Sequence, residues 1–163
     1  MDLSELQNQF WQDNADQLFL IKEMEDYDDD SVYHFLNKVI ADESVEDYVR
    51  IEALQLLRFK DISSMGNRKL VATNLISVLS TSKDYDVRNY CAMALISFID
   101  EKGVVKILSD ICLDESEDEN LRFNALDSLV SNKEFVEVKA QLIRISLLID
   151  STIGDEAKRN LKD

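Results

Sequence analysis

The fold is decided by one nine-residue segment, Val49-Arg50-Ile51-Glu52-Ala53-Leu54-Gln55-Leu56-Leu57. The segment recurs as Val87-Arg88-Asn89-Tyr90-Cys91-Ala92-Met93-Ala94-Leu95 and as Leu121-Arg122-Phe123-Asn124-Ala125-Leu126-Asp127-Ser128-Leu129. Each copy has an aliphatic residue followed by Arg, a small residue in fifth place and Leu in ninth place. The copies start 38 and 34 residues apart, and self-similarity at a period of this order is typical of stacked-repeat proteins.

The spacing within the segment indicates a helix. Its first, fifth and ninth places lie four residues apart, so they share one helix face. The small residue (Ala53, Cys91 or Ala125) lets a neighbouring helix approach closely. A second apolar segment precedes each copy, so each unit is predicted to be two helices joined by a short polar turn. One helix pair cannot bury both of its faces, and the units are therefore expected to stack.

The chain, residues 1–163, is predicted to be a single domain with three helix pairs in residues 31–131. The pairs are expected at 31–42 with 46–60, 67–81 with 84–100, and 104–113 with 118–131, and Met65-Gly66-Asn67 is expected to end the first pair. Residues 1–30 are predicted to cap one end, as one helix or as two helices broken near Asp13-Asn14. Residues 132–163 are predicted to cap the other end, with helix 153–162 covering the apolar helix 134–150.

The second helix of each unit resembles a known repeat. Acidic residues before an aliphatic-Arg pair are similar to HEAT repeats, above all to the short variety with an Asp-x-x-Val-Arg-x-x-Ala-x-x-Ala-Leu core. Asp47–Leu57 and Asp84–Leu95 match this core, and Asp118–Leu129 matches it with Leu121 in the Val position. The resemblance covers residues 31–131. It implies an all-α, right-handed α-solenoid of antiparallel helix pairs that acts as a binding scaffold, and it names no particular partner.

The composition limits the function classes. The chain has no Pro and 3 Gly, which disfavours a turn-rich all-β fold. Its formal charge of −15 repels DNA, RNA and anionic membranes, so either a basic protein is the natural partner or the acidity serves solubility. Cys91 and Cys112 lie in apolar stripes and are expected to be buried free thiols. No apolar run is long enough for a membrane span, and we expect a cytoplasmic protein that is monomeric when free.

The turns inside the three pairs are acidic and are expected to lie along one edge of the stack. They comprise residues 42–47, 81–86 and 114–119, and the first and third turns contain four and five acids. One acid per turn is explained by helix capping, which negative charge near a helix N-terminus also favours. The excess leaves open whether these carboxylates bind a basic partner.

The second helices also present a face with aromatic, Met and acidic residues, which lines the concave side of HEAT-like stacks. Together with the acidic turns, this face supplies the predicted partner-binding residues: Glu52, Phe59, Asp84, Asp86, Tyr90, Met93, Asp114, Glu115, Glu117, Asp118 and Asp127. In the alternative interpretation, Phe59 and Tyr90 simply pack between pairs. The recurring Arg is predicted to form ion pairs between successive repeats, in preference to an anion-binding ladder.

Patterns that support catalysis or metal binding are weak. His34 is the only histidine, which excludes a two-His metal site, and the sequence shows no convincing Ser-His-Asp arrangement. Asp114-x-Ser116-x-Asp118 resembles a calcium loop but has Glu119 where Gly is required. Asp26-x-Asp28-x-Asp30 fails the same test. We therefore expect no catalytic residue, no metal and no cofactor.

Three functions remain open from the sequence. A small acidic repeat protein without catalytic residues resembles the immunity proteins that neutralise bacterial toxins, and it would cover the active surface of a basic toxin domain such as a nuclease. A general HEAT scaffold would instead bind a peptide or helix in its groove, through Phe59, Tyr90 and Met93 more than through the acids. A HEAT-fold enzyme is the third, either a lyase acting on a tetrapyrrole or a DNA glycosylase, and the charge disfavours the glycosylase.

Overall fold

The computed structural model describes residues 1–27, 29–149 and 151–162. These residues form ten α-helices, one short 3₁₀ helix and no strand, which confirms the prediction of an all-α chain. The α-helices are α1 (Leu3–Phe10), α2 (Gln17–Glu23), α3 (Asp30–Ala41), α4 (Asp47–Phe59), α5 (Met65–Thr81), α6 (Tyr85–Ala94), α7 (Val104–Leu113), α8 (Glu119–Val130), α9 (Val136–Ile145) and α10 (Thr152–Asn160). The 3₁₀ helix, Leu95–Phe98, follows α6 directly.

Consecutive helices pack as pairs, and neighbouring pairs contact one another. Helices α3 and α4, α5 and α6, and α7 and α8 form the three central pairs, with α1 and α2 at one end and α9 and α10 at the other. The second helices α2, α4, α6, α8 and α10 contact each other in that order, and so do the first helices α3, α5, α7 and α9. One buried apolar cluster extends through all of them, from Leu6 in α1 to Ala157 in α10. Stacking of adjacent units is therefore observed.

The three copies of the nine-residue segment lie at the same depth in this core. The small residues in fifth place have no exposed surface, and neither do the aliphatic residues in first place or the Leu residues in ninth place. The nine fully buried residues are Val49, Ala53, Leu57, Val87, Cys91, Leu95, Leu121, Ala125 and Leu129. Equal burial at equivalent places confirms that the repeats seen in the sequence are structural repeats.

The Arg of each copy caps the first helix of its own pair, because its Nε–H donates to a backbone carbonyl in the last turn of that helix. The hydrogen bonds run from Arg50 to Ile40 (2.9 Å), from Arg88 to Leu79 (2.9 Å) and from Arg122 to Cys112 (3.2 Å). Carbonyls in the last turn have no partner within their helix, so this contact satisfies a group that would otherwise be unpaired. The predicted ladder of ion pairs is wrong as a general rule, since within the described residues only one of these Arg forms an ion pair.

Several helix boundaries differ from those predicted. The N-terminal region is two helices, and the break contains Asn14 at a φ of 63°, a conformation that Asn tolerates better than most residues. Met65 begins α5 instead of ending the preceding pair, because the Ser64 hydroxyl accepts a hydrogen bond from the Asn67 N–H (3.4 Å). Gly103 adopts a left-handed conformation, with a φ of 92°, immediately before α7.

The helix predicted at 134–150 is shorter than expected. Helix α9 ends at Ile145, and residue 150 lies outside the described residues, as does residue 28 of the Asp26-x-Asp28-x-Asp30 pattern. Helix α10 packs on α9 but covers it only in part. Four apolar side chains of α9 and the following turn remain exposed: Val136, Ile143, Leu147 and Ile149. The prediction that the last helix would cover this face is therefore wrong for its outer half.

Across residues 1–27, 29–149 and 151–162, no helix combines the length and the apolar character that crossing a lipid bilayer requires.

Candidate functional site

Helix capping accounts for two of the predicted site residues. Asp84 is the N-cap of α6 and accepts a hydrogen bond from the Val87 N–H (2.8 Å). Asp118 is the N-cap of α8 and accepts one from the Asn120 N–H (2.8 Å). Glu46 occupies the equivalent place before α4, but its side chain makes no capping hydrogen bond. The carboxylates of Asp84 and Asp118 therefore stabilise helix N-termini.

The first and the third acidic turn each begin with an Asp-x-Ser motif, which makes the same two hydrogen bonds in both. Asp42 Oδ1 accepts hydrogen bonds from the backbone N–H (2.9 Å) and the hydroxyl (2.6 Å) of Ser44. Asp114 Oδ1 accepts the same two bonds from Ser116, at 2.9 and 2.6 Å. These hydrogen bonds hold the pKa of both carboxyl groups below the usual Asp value. Asp114, a predicted site residue, is therefore part of the turn's own structure.

The second and third turns are joined by side chains of α6. Arg88 forms a two-pronged ion pair with Glu117, with Nη1 3.0 Å from one carboxylate oxygen and Nη2 bonded to the other. The pKa of Glu117 is held below its usual value, chiefly by this hydrogen bonding to Arg88. The Tyr85 hydroxyl donates to Asp118 in the same turn. Glu117 and Asp118 therefore link neighbouring pairs within the molecule.

Four exposed acids in the turns have side chains that make no hydrogen bond or ion pair with the described residues: Glu43, Glu46, Asp86 and Glu115. We call these four residues the free acidic edge. Asp86 and Glu115 belong to the predicted site, whereas sequence reasoning missed Glu43 and Glu46 as individual residues. Position within the turn separates the acids with free side chains from those that are hydrogen-bonded. An Asp at an N-cap or in an Asp-x-Ser turn bonds within its own turn, whereas the acids between these positions do not.

The predicted site residues on the face of the second helices differ in how far they are exposed. Tyr90 and Met93 of α6 are half-buried, and Tyr90 packs against the apolar core, as its packing interpretation predicts. Glu52 of α4 is also half-buried. Asp127 of α8 is exposed and lines an open pocket of about 310 Å³ between α8 and α10. Equivalent places in the repeat therefore differ in how much surface they offer to a partner.

Phe59, the last residue of α4, lies at the end of this face. Its side chain is 81% exposed, so the alternative that Phe59 packs between pairs is wrong. The Arg58 guanidinium lies 5.5 Å from the centre of its ring. An exposed aromatic ring beside a cation is a candidate contact for a partner's side chain.

A second open pocket, of about 320 Å³, lies between the first and second turns. Four acids contribute to its lining, namely Glu43, Glu46, Asp47 and Asp84, and two basic residues do so as well, Arg50 and Lys83. Arg50 is a buried residue with only 4% of its surface exposed. The pocket therefore combines an acidic rim with the side chain of a largely buried Arg.

The chemistry of the remaining polar groups is limited. Burial raises the pKa of Cys91 and of Cys112 to about 12, so both thiols are protonated at neutral pH and poor nucleophiles. His34 is exposed on α3. The residues that the structure describes contain no group of His, Cys, Asp and Glu side chains arranged to hold a metal ion. What the turns offer chemically is electrostatic contact with cationic groups.

No protein-family model matches this chain, and no curated protein compared with it shows significant similarity.

Proposed function

We propose that the protein is a non-enzymatic binding module whose free acidic edge docks a basic protein. The observation that carries the proposal is the presence of exposed carboxylates, at Glu43, Glu46, Asp86 and Glu115, that no described residue neutralises. They extend over the turns of three successive helix pairs. Their position agrees with a right-handed solenoid of antiparallel, HEAT-like pairs, in which equivalent turns follow one another along one edge.

The free acids are more than the fold needs. Capping and turn formation use Asp42, Asp84, Asp114 and Asp118, so each turn is already closed by its own hydrogen bonds. Additional like charges at the same edge repel one another and lower stability. Such clusters increase the association rate of an oppositely charged partner. A net charge of −15 extends this attraction over the whole surface.

Within this class, we propose an immunity-type inhibitor that covers the active surface of a basic toxin domain. Domains that cut nucleic acids carry basic surfaces to hold phosphates, and a carboxylate edge can occupy the same cationic groups. Two unpaired, buried cysteines fit a reducing compartment, so we place the protein in the cytoplasm. This narrower assignment rests on charge and on the HEAT resemblance.

The second candidate is a general scaffold that binds a peptide or a helix on the face of the second helices. One observation favours it, which is the exposure of the Phe59 ring next to Arg58. In that case substitution of Phe59 should weaken partner binding more than neutralisation of the free acidic edge. The two candidates thus make opposite predictions for the same pair of variants.

The test compares partner capture by immobilised wild-type protein and by two variants that each remove four negative charges. The first carries Glu43→Gln, Glu46→Gln, Asp86→Asn and Glu115→Gln. The matched control carries Glu23→Gln, Glu25→Gln, Asp26→Asn and Glu134→Gln, which are exposed acids outside the three turns. Because both variants have the same net charge, a difference in partner capture between them shows that the position of the removed charges matters.

We expect the first variant to lose the captured partner and the control variant to retain it. Captured proteins are identified by mass spectrometry and expressed separately for toxicity assays with and without this protein. Equal capture by the two variants would rule out the free acidic edge as the docking surface. If the captured partner does not inhibit growth, the protein is still a binding module, but the proposal that it is a toxin inhibitor is wrong.

A further inference from the structure

The recurring Arg residues of the first and second pairs differ in whether the next turn supplies an acidic partner. Arg88 of the second pair bonds to Glu117, which precedes the N-cap of the next second helix. Arg50 of the first pair is its equivalent, and the residue before the next N-cap is Lys83. The position that supplies a carboxylate to Arg88 therefore holds a lysine in the turn that follows Arg50, and both residues line one pocket.

Arg50 is consequently left with an incomplete set of acceptors. Its Nε–H donates to the Ile40 carbonyl at 2.9 Å, but its two terminal amino groups bond to no described residue. The side chain is buried, and it lines the 320 Å³ pocket between the first and second turns. The unbonded terminal amino groups are not among the fully buried polar atoms of the described residues, so they open onto the pocket, where a two-oxygen acceptor would match their fork of N–H groups.

We propose that this pocket accepts a carboxylate side chain of the partner, which binds Arg50 as Glu117 binds Arg88. The acids at the rim determine what carries that carboxylate. Glu43, Glu46 and Asp84 line the same pocket, so a free anion approaches against like charges. A Glu or Asp flanked by Lys or Arg residues satisfies both parts of the site. This inference rests on the proposed function, since it specifies the segment by which a basic partner docks.

Lys83 has a defined role in this arrangement. Lys83 lines the same pocket, and its long side chain can offer the incoming carboxylate a second cation. In the next repeat, Glu117 occupies the equivalent position and forms an ion pair with Arg88. Lys83 cannot pair with Arg50 in this way, so the turn does not fill the pocket with its own side chain. Replacement of Lys83 by an acid should therefore close the site by giving Arg50 an internal partner.

The test titrates ¹⁵N-labelled full-length protein with two peptides at low salt and follows the Arg50 Nε–Hε signal. One peptide is acetyl-Lys-Lys-Glu-Lys-Lys-amide, and the other has Gln in place of Glu. We expect the Glu peptide to shift the Arg50 signal saturably and to bind about tenfold more tightly than the Gln peptide, since a charge-assisted hydrogen bond to Arg is lost in the latter. Acetate, a carboxylate without flanking cations, should not saturate the signal over the same concentration range.

The Lys83→Glu variant separates the proposal from general attraction between opposite charges. The substitution makes the site more acidic, so electrostatics alone predicts tighter binding of both basic peptides. Filling of the pocket by the new side chain instead predicts that the preference for the Glu peptide falls from about tenfold to none. Lys83→Gln, which removes the cation without supplying an acid, should retain a reduced preference.

Equal binding of the two peptides to the wild-type protein would overturn the inference, as would an unchanged preference in Lys83→Glu. Saturation by acetate as tight as by the Glu peptide would overturn the assignment to a basic segment. These failures differ from failure of the proposed function. If both peptides bind equally, yet bind more weakly to the variant lacking the four acids of the free acidic edge, that edge remains the docking surface.

Discussion

At the scale of single residues, the acids of the three turns have two different roles. The sequence groups them by charge, whereas the structure separates Asp86 and Glu115, whose side chains make no described contact, from the acids that bond within the fold. Asp114 closes its own turn and Glu117 holds Arg88, so both are structural. The N-caps follow from known capping preferences. Ion pairs between repeats were predicted for all three recurring Arg, but among the described residues only Arg88 forms one, because the pairing depends on how closely the next turn approaches.

Loss of the Glu117 carboxylate should lower stability through the ion pair with Arg88. We expect Glu117→Gln to reduce the free energy of unfolding by about 1 kcal/mol at pH 7. The pKa of Glu117 is lowered in the folded state, so its contribution is present above the unfolded pKa and is lost as the pH falls through the folded value. The difference between variant and wild type should therefore shrink below about pH 4.5, measured by urea denaturation across pH.

Glu115→Gln is the matched control for this measurement, since Glu115 lies two residues away in the same turn and makes no described contact. Its stability should equal that of the wild type at all pH values within about 0.5 kcal/mol. Equal loss of stability in the two variants would contradict a specific contribution of the ion pair.

The two cysteines provide a second test at the residue scale. Burial raises the pKa of Cys91 and Cys112 to about 12, so the folded protein should react with a thiol reagent such as DTNB only through unfolding. At pH 8 we expect negligible labelling of the native protein and complete labelling of both thiols in guanidinium. Rapid labelling of either thiol without denaturant would show that the packing around α6 or α7 is looser than described.

At the scale of helices, the interior of each element was predicted better than its ends. The periodic apolar residues placed α4, α8 and the start of α6 correctly, because burial determines them. The end of α6 was not predictable, since no Gly or Pro marks the change to the 3₁₀ helix after Ala94. There the Ser97 carbonyl accepts a hydrogen bond from Arg68 on α5 at 3.0 Å, a tertiary contact that the local sequence does not reveal.

Glycine substitutions test the packing of α10 against α9. A Cβ at Gly154 would lie 2.7 Å from the Leu148 carbonyl oxygen, which is too close for a backbone atom to accommodate without movement. Ala favours helices over Gly by about 1 kcal/mol, but we expect the clash to outweigh this gain, so that Gly154→Ala lowers the melting temperature.

Gly66 in α5 is the control for the same substitution. A Cβ there would meet only the Ser64 hydroxyl at 3.8 Å, so Gly66→Ala should leave the melting temperature unchanged or raise it. A Gly154→Ala protein as stable as Gly66→Ala would contradict the close approach of α10 to the turn after α9.

At the scale of the whole molecule, the repeat period predicted the stacking, and equal burial of Ala53, Cys91 and Ala125 confirms it. Charge predicted an acidic surface but not which carboxylates remain free, because that depends on contacts between neighbouring turns. The pocket at Arg50 was missed for the same reason. It arises from a difference between repeats, with Lys83 in one and Glu117 in the next, and the sequence does not show that the residue at this position reaches the Arg of the preceding pair.

The most direct test of the account is the salt dependence of partner association. With the captured partner in hand, stopped-flow measurement of the association rate at about 50 mM and about 500 mM salt reports electrostatic steering, which added salt screens. We predict a fall of at least about tenfold for the wild type and a much smaller fall for the variant without the four acids of the free acidic edge. An association rate that does not depend on salt, or depends on it equally in both proteins, would contradict docking through this edge.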